Sequence, residues 1–225
     1  MDRFPIDLLQ YKVFDKLDFA LQIRFRQVCK WFFRLEIHDF LNIEGKYLEK
    51  LTDEILFHYP FIKYLDATNN SKIANVNHLT KLQVLNASRN CGISDNGIKY
   101  LNLIELKAYN NHKITDINHL TQLQKLDASF DCGIDDDGIK YVNLVELDAC
   151  FNPKIIDVNH LTKLEKLNAS GYCCGIGNNG TKYINLVELN ICHNPKITDI
   201  NHLTKLKILN ASGYNCGQRL VRYAL

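Results

Sequence analysis

Apolar positions recur along this chain in one fixed frame. A large aliphatic residue, two variable positions, a leucine, one variable position and a small apolar residue start at Ile62, Leu82, Leu103, Leu123, Leu144, Leu164, Leu186 and Leu206. The steps between starts are 20, 21, 20, 21, 20, 22 and 20 residues. The tetrapeptide Asn-His-Leu-Thr begins at Asn77, Asn118, Asn159 and Asn201, in every second turn, so the duplicated unit is a doublet of 41 or 42 residues. A period in this range predicts stacked repeats. Each turn predicts one short strand, centred on Leu65, Leu85, Leu106, Leu126, Leu147, Leu167, Leu189 and Leu209. The two-residue period of a strand sends this leucine and the alanine two places on (Ile191 in one turn) inward, and the residue between them outward. No single turn can bury its own leucines, so each depends on its neighbours.

This spacing and frame resemble leucine-rich repeats, and they imply an α/β solenoid with a parallel sheet on its concave face. The alternating turns differ on the return path. Even turns carry CGISDNGIKYL from Cys91, CGIDDDGIKYV from Cys132 and CGIGNNGTKYI from Cys174. Asp95, Asp136 and Asn178 are expected there as N-caps of a short helix. Odd turns carry NPKIIDVNHL or NPKITDINHL, and Pro153 and Pro195 predict an extended or 3₁₀ path with Ile114, Ile117 and Leu120 inward in the third turn. Asn70, Asn90, Asn111, Asn152, Asn194 and Asn215 follow the strands and are expected to satisfy backbone groups left open at each turn, with Asp131 and Cys173 interrupting the column.

Residues 1–44 lack the frame. Leu8, Leu9, Val13, Phe14 and Leu17 fall on one helical face, and Leu21, Phe25, Val28, Phe32 and Leu35 continue an apolar stripe after Asp18, a candidate cap. Three short helices are expected, the last bearing Arg24, Arg26, Lys30 and Arg34. Leu41 to Ile43 is expected as an irregular first strand, and the stretch from Tyr47 to Tyr59 as one helix ending at Pro60. The predicted division is a helical unit over 1–37 and a solenoid of about nine strands over 38–225.

The order of residues in the first segment resembles an F-box: Pro5 after an apolar residue, Leu8-Leu9, Val13, Leu17, Leu21, then Val28-Cys29-Lys30 followed by aromatics. It departs from that pattern in Phe4-Pro5, where the family usually has Leu-Pro, and in Trp31, which directly follows Lys30, so that Phe32 takes the usual aromatic place. The even turns resemble the cysteine-containing repeats often attached to F-boxes, and the near-identical doublets resemble F-box repeat proteins of giant viruses. The resemblance implies a substrate-recognition subunit of a Skp–cullin–F-box ubiquitin ligase. Pro5, Leu8, Leu9, Leu17, Val28, Cys29 and Phe32 would meet the Skp-type adaptor. A helical cap that only seals a binding scaffold is the alternative.

Composition narrows the chemistry. A net charge of +2 gives no pull toward nucleic acid or an acidic membrane. No run reaches the ~18 apolar residues of a membrane span. The start MDRFPIDLLQ lacks an apolar signal core, so an intracellular, cytoplasmic setting is expected, the host cytoplasm if the protein is viral. The eight cysteines are then reduced, with Cys91, Cys132, Cys174 and Cys216 as small core residues of one column. The Asn-x-Ser triplets at Asn86, Asn168 and Asn210 lie inside predicted strands. His78, His119, His160 and His202 align two turns apart, roughly 10 Å at ~4.8 Å per strand, too far to share a zinc. Asp135-Asp136-Asp137 matches a helix start rather than a calcium loop. No nucleophile motif, phosphate loop or metalloprotease motif is present, and the chain is expected to be no enzyme, with no metal and no cofactor. Candidate client-binding residues lie on the outward strand positions. Glu105, Lys125, Glu146 and Lys166 share an alternating column with Glu188. Lys107, Asp127 and Asp148 occupy the next, and Tyr109 and Phe130 break the regularity beyond it. Lys72, Lys113, Lys154 and Lys196 are expected to be solvated on the other side.

Overall fold

A computed structural model describes residue 10 and residues 14–28, 36–40 and 48–213. The repeated frame builds one parallel sheet of nine strands in sequence order, from β1 to β9. These are β1 Asp39–Phe40, β2 Tyr64–Asp66, β3 Val84–Asn86, β4 Glu105–Lys107, β5 Lys125–Asp127, β6 Glu146–Asp148, β7 Lys166–Asn168, β8 Glu188–Asn190 and β9 Ile208–Asn210. From β2 to β9 the frame leucines stand in one register line, Leu65 to Leu85 through Leu189 to Leu209. All eight strands expected from the frame form at the expected centres. The first strand lies earlier than expected: Phe40, not Leu41, takes the leucine position opposite Leu65. Residues 41–47 lie outside the described residues.

The core fills the space between the sheet and the return path. Leu65, Ala67, Leu106, Ala108, Leu147 and Ala149 point into it, with Ile114, Ile117 and Leu120 from an odd return path and Cys132, Ile134 and Ile139 from an even one. β2 to β9 are three residues long, and in several of them the side chain at the third position closes the turn that follows. Asp66, Asp127 and Asp148 each accept the N–H two residues on, from Thr68, Ser129 and Cys150 at 2.8, 3.0 and 2.9 Å. The chain then enters the left-handed region once per turn, at Asn69, Arg89, Asn110, Phe130, Phe151, Gly171, His193 and Gly213.

Turn-to-turn bonding alternates between two devices. Asn152 is wholly buried. Its Nδ2 donates to Ala128 O at 2.7 Å and Ile134 O at 3.2 Å, and its Oδ1 accepts from Lys154 N at 2.8 Å. Asn111 and Asn194 repeat this geometry, and Asn70 bonds Leu48 O and Leu51 O. In the turns between, the equivalent site holds buried Cys91, Cys132 and Cys174. Asn90 is therefore not a column member. It is exposed, as are Asp131 and Cys173 at the same place, so those two do not interrupt a column but follow the even-turn pattern. Asn215 and Cys216 lie outside the described residues.

The expected capping also resolves differently. The even-turn helices are α3, Asp95–Ile98, and 3₁₀ turns at Asp137–Ile139 and Asn179–Thr181. Asp95, Asp136 and Asn178 do not cap their own helices. Each reaches into the following turn and accepts two successive backbone N–H groups: Thr115 and Asp116 at 2.7 and 3.2 Å, Ile156 and Asp157 at 2.7 and 3.2 Å, Thr198 and Asp199 at 2.8 and 3.1 Å. Asp53 does the same for Ala74 and Asn75. In the second turn pair Asp135 takes the local role, accepting from Gly138 N at 3.0 Å. The turns sit so close here that a Cβ on Gly97, Gly138 or Gly180 would collide with Ala74 O, Thr115 O or Ile156 O, which requires glycine. The lysines of the return path are not simply solvated: Lys72, Lys113 and Lys154 donate from Nζ to the carbonyls of Glu49, Cys91 and Cys132 at 3.1, 3.1 and 2.9 Å.

Ahead of the solenoid, a 3₁₀ turn at Phe14–Lys16 leads to α1, Phe19–Val28. Asp18 caps α1 as expected, accepting from Leu21 N at 2.8 Å. The apolar stripe reads differently: Leu21 is exposed while Gln22 is buried, and Leu17 and Ile23 pack against the solenoid core. The Arg26 guanidinium lies 5.7 Å from the Tyr59 ring. Of the basic residues expected on the last of three helices, Arg24 and Arg26 lie on α1, and Lys30 and Arg34 lie outside the described residues. The helix expected over Tyr47 to Tyr59 is broken near Leu51. α2 spans Asp53–Phe57, with Thr52 as its cap. Thr52 wins because its hydroxyl accepts from Ile55 N, at 3.3 Å, a donor that a continuous helix would use otherwise.

Candidate functional site

The outward face of the sheet carries three columns. In the first, Glu105, Lys125, Glu146, Lys166 and Glu188 stand side by side in register. Lysine pairs with the glutamate of the next strand: Lys125 Nζ to Glu146 at 3.3 Å and Lys166 Nζ to Glu188 at 3.1 Å. Glu105 turns instead to Lys107 of its own strand, at 3.4 Å. These pairs are exposed enough to exchange partners at little cost. The second column is Asp66, Asn86, Lys107, Asp127, Asp148, Asn168 and Asn190. Its carboxylates are occupied by the turns they close, and Asp148 also accepts from Asn168 Nδ2 at 2.9 Å. Burial, with Asp127 and Glu146 nearby, raises the Asp148 pKa. Asn86 and Asn168 likewise hold Ser88 and Ser170 through their side chains, at 2.6 and 2.7 Å.

The third element is a row of rings along the edge where the strands end. Tyr109, Phe130, Phe151, Tyr172 and His193 form an unbroken series with centroid separations of 5.0, 5.1, 5.9 and 5.5 Å. The Arg89 guanidinium lies 5.6 Å from the Tyr109 ring and starts the row. The row arises because Phe130, Phe151 and His193 occupy the left-handed position, which swings their side chains to the rim. Ring pairs at these distances attract beyond the area they bury. Phe130 remains 41% exposed and Tyr172 68%, so the row is open to solvent. The sequence pointed to Tyr109 and Phe130. It missed Arg89, Phe151, Tyr172 and His193: Arg89, Phe151 and His193 share the left-handed frame position of Phe130, beyond the outward strand columns, and Tyr172 lies one place further on.

The remaining candidates have structural partners. His119, His160 and His202 set Nε2 against the carbonyls of Ile98, Ile139 and Thr181 at 3.0, 3.0 and 2.7 Å, while His78 packs on the Phe57 ring at 5.6 Å. Burial pushes the thiols of Cys91, Cys132 and Cys174 up from 9.0 to about 11, so they are poor nucleophiles. Among the described residues no group of three His, Cys, Asp or Glu could hold a metal ion, and no helix is long and apolar enough to cross a membrane. Of the residues expected to meet an adaptor, Leu17 is half-buried against the core and Val28 ends α1. Pro5, Leu8, Leu9, Cys29 and Phe32 lie outside the described residues.

The fold and this face define a parallel-stranded solenoid of leucine-rich turns with an open sheet face and an aromatic rim. No family model matches the chain, and no curated protein matches it. Among solved structures it is similar to an internalin, inlF, from Listeria monocytogenes, at 24% identity over 71% of this chain and 50% of that one, with a TM-score of 0.44. TLR13 in its complex with ssRNA13 matches at 21% identity over 67% of this chain and 29% of that one, with a TM-score of 0.40. The functional domain of InlJ from Listeria monocytogenes, described as including a cysteine ladder, matches at 18% identity over 74% of this chain and 54% of that one, with a TM-score of 0.35. The chain thus spans about half of each internalin and under a third of the TLR13 chain.

Proposed function

We propose that this chain is a non-catalytic recognition protein of the cytoplasm. The open sheet face and its rim hold a protein client. The N-terminal helical unit docks a Skp-type adaptor, and through it a cullin ubiquitin ligase, so that catalysis is supplied by the ligase and the chain contributes proximity. The observation that carries client binding is the exposed row of rings from Tyr109 to His193 beside an exchangeable charge ladder, since a continuous aromatic surface of this kind marks an interaction site. The ligase reading is supported by the order of F-box-like positions from Pro5 to Phe32 and by the exposure of Leu21 on α1.

A second reading is a binding scaffold whose helical unit only seals the solenoid. The packing of Leu17 and Ile23 against the core, with Arg26 over Tyr59, favours it. Capture on immobilised, purified Skp-type adaptor separates the two. The full chain should be retained, and a Leu8→Asp/Leu9→Asp variant with an unchanged circular dichroism spectrum should not. A folded wild-type chain that is not retained overturns the ligase reading and leaves the scaffold.

A further inference from the structure

The client's chemistry follows from which charges on the face are already answered. Lys107, Lys125 and Lys166 each lie against a glutamate. Asp66, Asp127 and Asp148, one column nearer the rim, make no ion pair among the described residues; Lys107, the register partner of Asp127 on β4, lies against Glu105 instead. Asp127 and Asp148 are register partners on neighbouring strands, roughly 5 Å apart at backbone level. Three residues further along each chain come Phe130 and Phe151, whose rings stack at 5.1 Å. Carboxylates that accept hydrogen bonds but form no ion pair thus lie three residues along the chain from the stacked rings. A guanidinium or ammonium group is attracted to both: to a ring through its quadrupole and to a carboxylate by charge. The row already shows this at its first member, where Arg89 lies over Tyr109.

We propose that the rim from Tyr109 to Tyr172, with Asp127 and Asp148, binds an extended protein segment that carries arginine or lysine at alternate positions and runs across the strands. Side chains on one side of an extended chain repeat every ~6.6 Å, close to the 5.0 to 5.9 Å between successive rings. Successive basic side chains therefore meet successive rings. A nucleic-acid strand would match the rings but bring its phosphates against Asp66, Asp127 and Asp148, where like charges repel. The inference rests on the sheet face being the client surface and names the client class.

The test is fluorescence anisotropy of the full chain with three labelled probes: a dodecapeptide of alternating serine and arginine, its serine–glutamate counterpart, and a twelve-residue oligouridylate. The basic peptide should bind, more weakly as salt rises, and the other two should not. A Phe130→Asn/Phe151→Asn variant should bind it about tenfold less tightly. Asparagine is accommodated at the left-handed position, as Asn69 and Asn110 show, so the thermal melt should persist. An Asp127→Asn/Asp148→Asn variant, which copies Asn168 and Asn190 of the same column, should lose a similar factor. Absence of basic-peptide binding, preference for the oligouridylate, or undiminished binding by either folded variant overturns the inference. Adaptor capture does not involve the rim, so it can stand where the peptide result fails.

Discussion

Removing the buried amide of Asn152 tests what holds one turn to the next. The substitution is Asn152→Ala. The side chain makes three hydrogen bonds to main chain, at 2.7, 3.2 and 2.8 Å, across two turns, and it is 0% exposed. At roughly 1 kcal/mol net per bond the loss is about 3 kcal/mol. Water cannot easily replace the amide, so each group left dry adds to that figure rather than reducing it. Asn152→Cys should cost less, because Cys132 and Cys174 occupy the equivalent site in the adjoining turns. Asn90→Ala is the control: it lies in the same apparent sequence column but is exposed, and should stay within about 0.5 kcal/mol. Urea denaturation followed by circular dichroism reads the midpoint and slope. Amide hydrogen exchange localises the effect, with Lys154 losing protection because its N–H bonds the Asn152 side chain, while Gly175, whose N–H bonds the Asn152 main-chain carbonyl, keeps its acceptor. A loss under about 1 kcal/mol, or one equal to that of Asn90→Ala, would refute the account of the buried asparagines as the turn-to-turn clamps.

Two further predictions follow from the same stacking. Asp136→Ala removes the acceptor of two N–H groups from the next turn and should cost about 2 kcal/mol in urea denaturation, whereas Asp136→Asn, which copies Asn178, should retain most of the stability. The Cys132 thiol is held at about 11 in the folded chain against 9.0 ordinarily. The protonated thiol is the favoured folded form, so its contribution is complete below pH 9 and is lost as pH rises toward 11, up to roughly 3 kcal/mol. Cys132→Ala should be less stable than wild type at neutral pH yet lose less between pH 8 and pH 10.5. Equal losses would remove burial of this thiol as a source of the pH dependence.

The sequence by itself determined the sheet. Eight frame leucines at 20 to 22 residue steps place eight strands, because a stacked turn can bury a leucine only on one side and the two-residue strand period then fixes every neighbour. The outward columns were legible for the same reason, and so were Tyr109 and Phe130 as departures from regularity. The tertiary structure alone decided what the polar repeats do. Asp95, Asp136 and Asn178 have the residue types and positions of helix caps, yet the next turn presents two unbonded N–H groups within reach, and those win. Asn90 and Asn111 look alike in sequence, but only the one that falls behind the sheet meets carbonyls with no other solvent. The rim was hidden because it draws Tyr109, Phe130, Phe151, Tyr172 and His193 from three different frame positions. Periodicity fixes where a backbone goes; which side chains touch across turns depends on backbone twist and left-handed residues, and these become readable only once the turns are stacked.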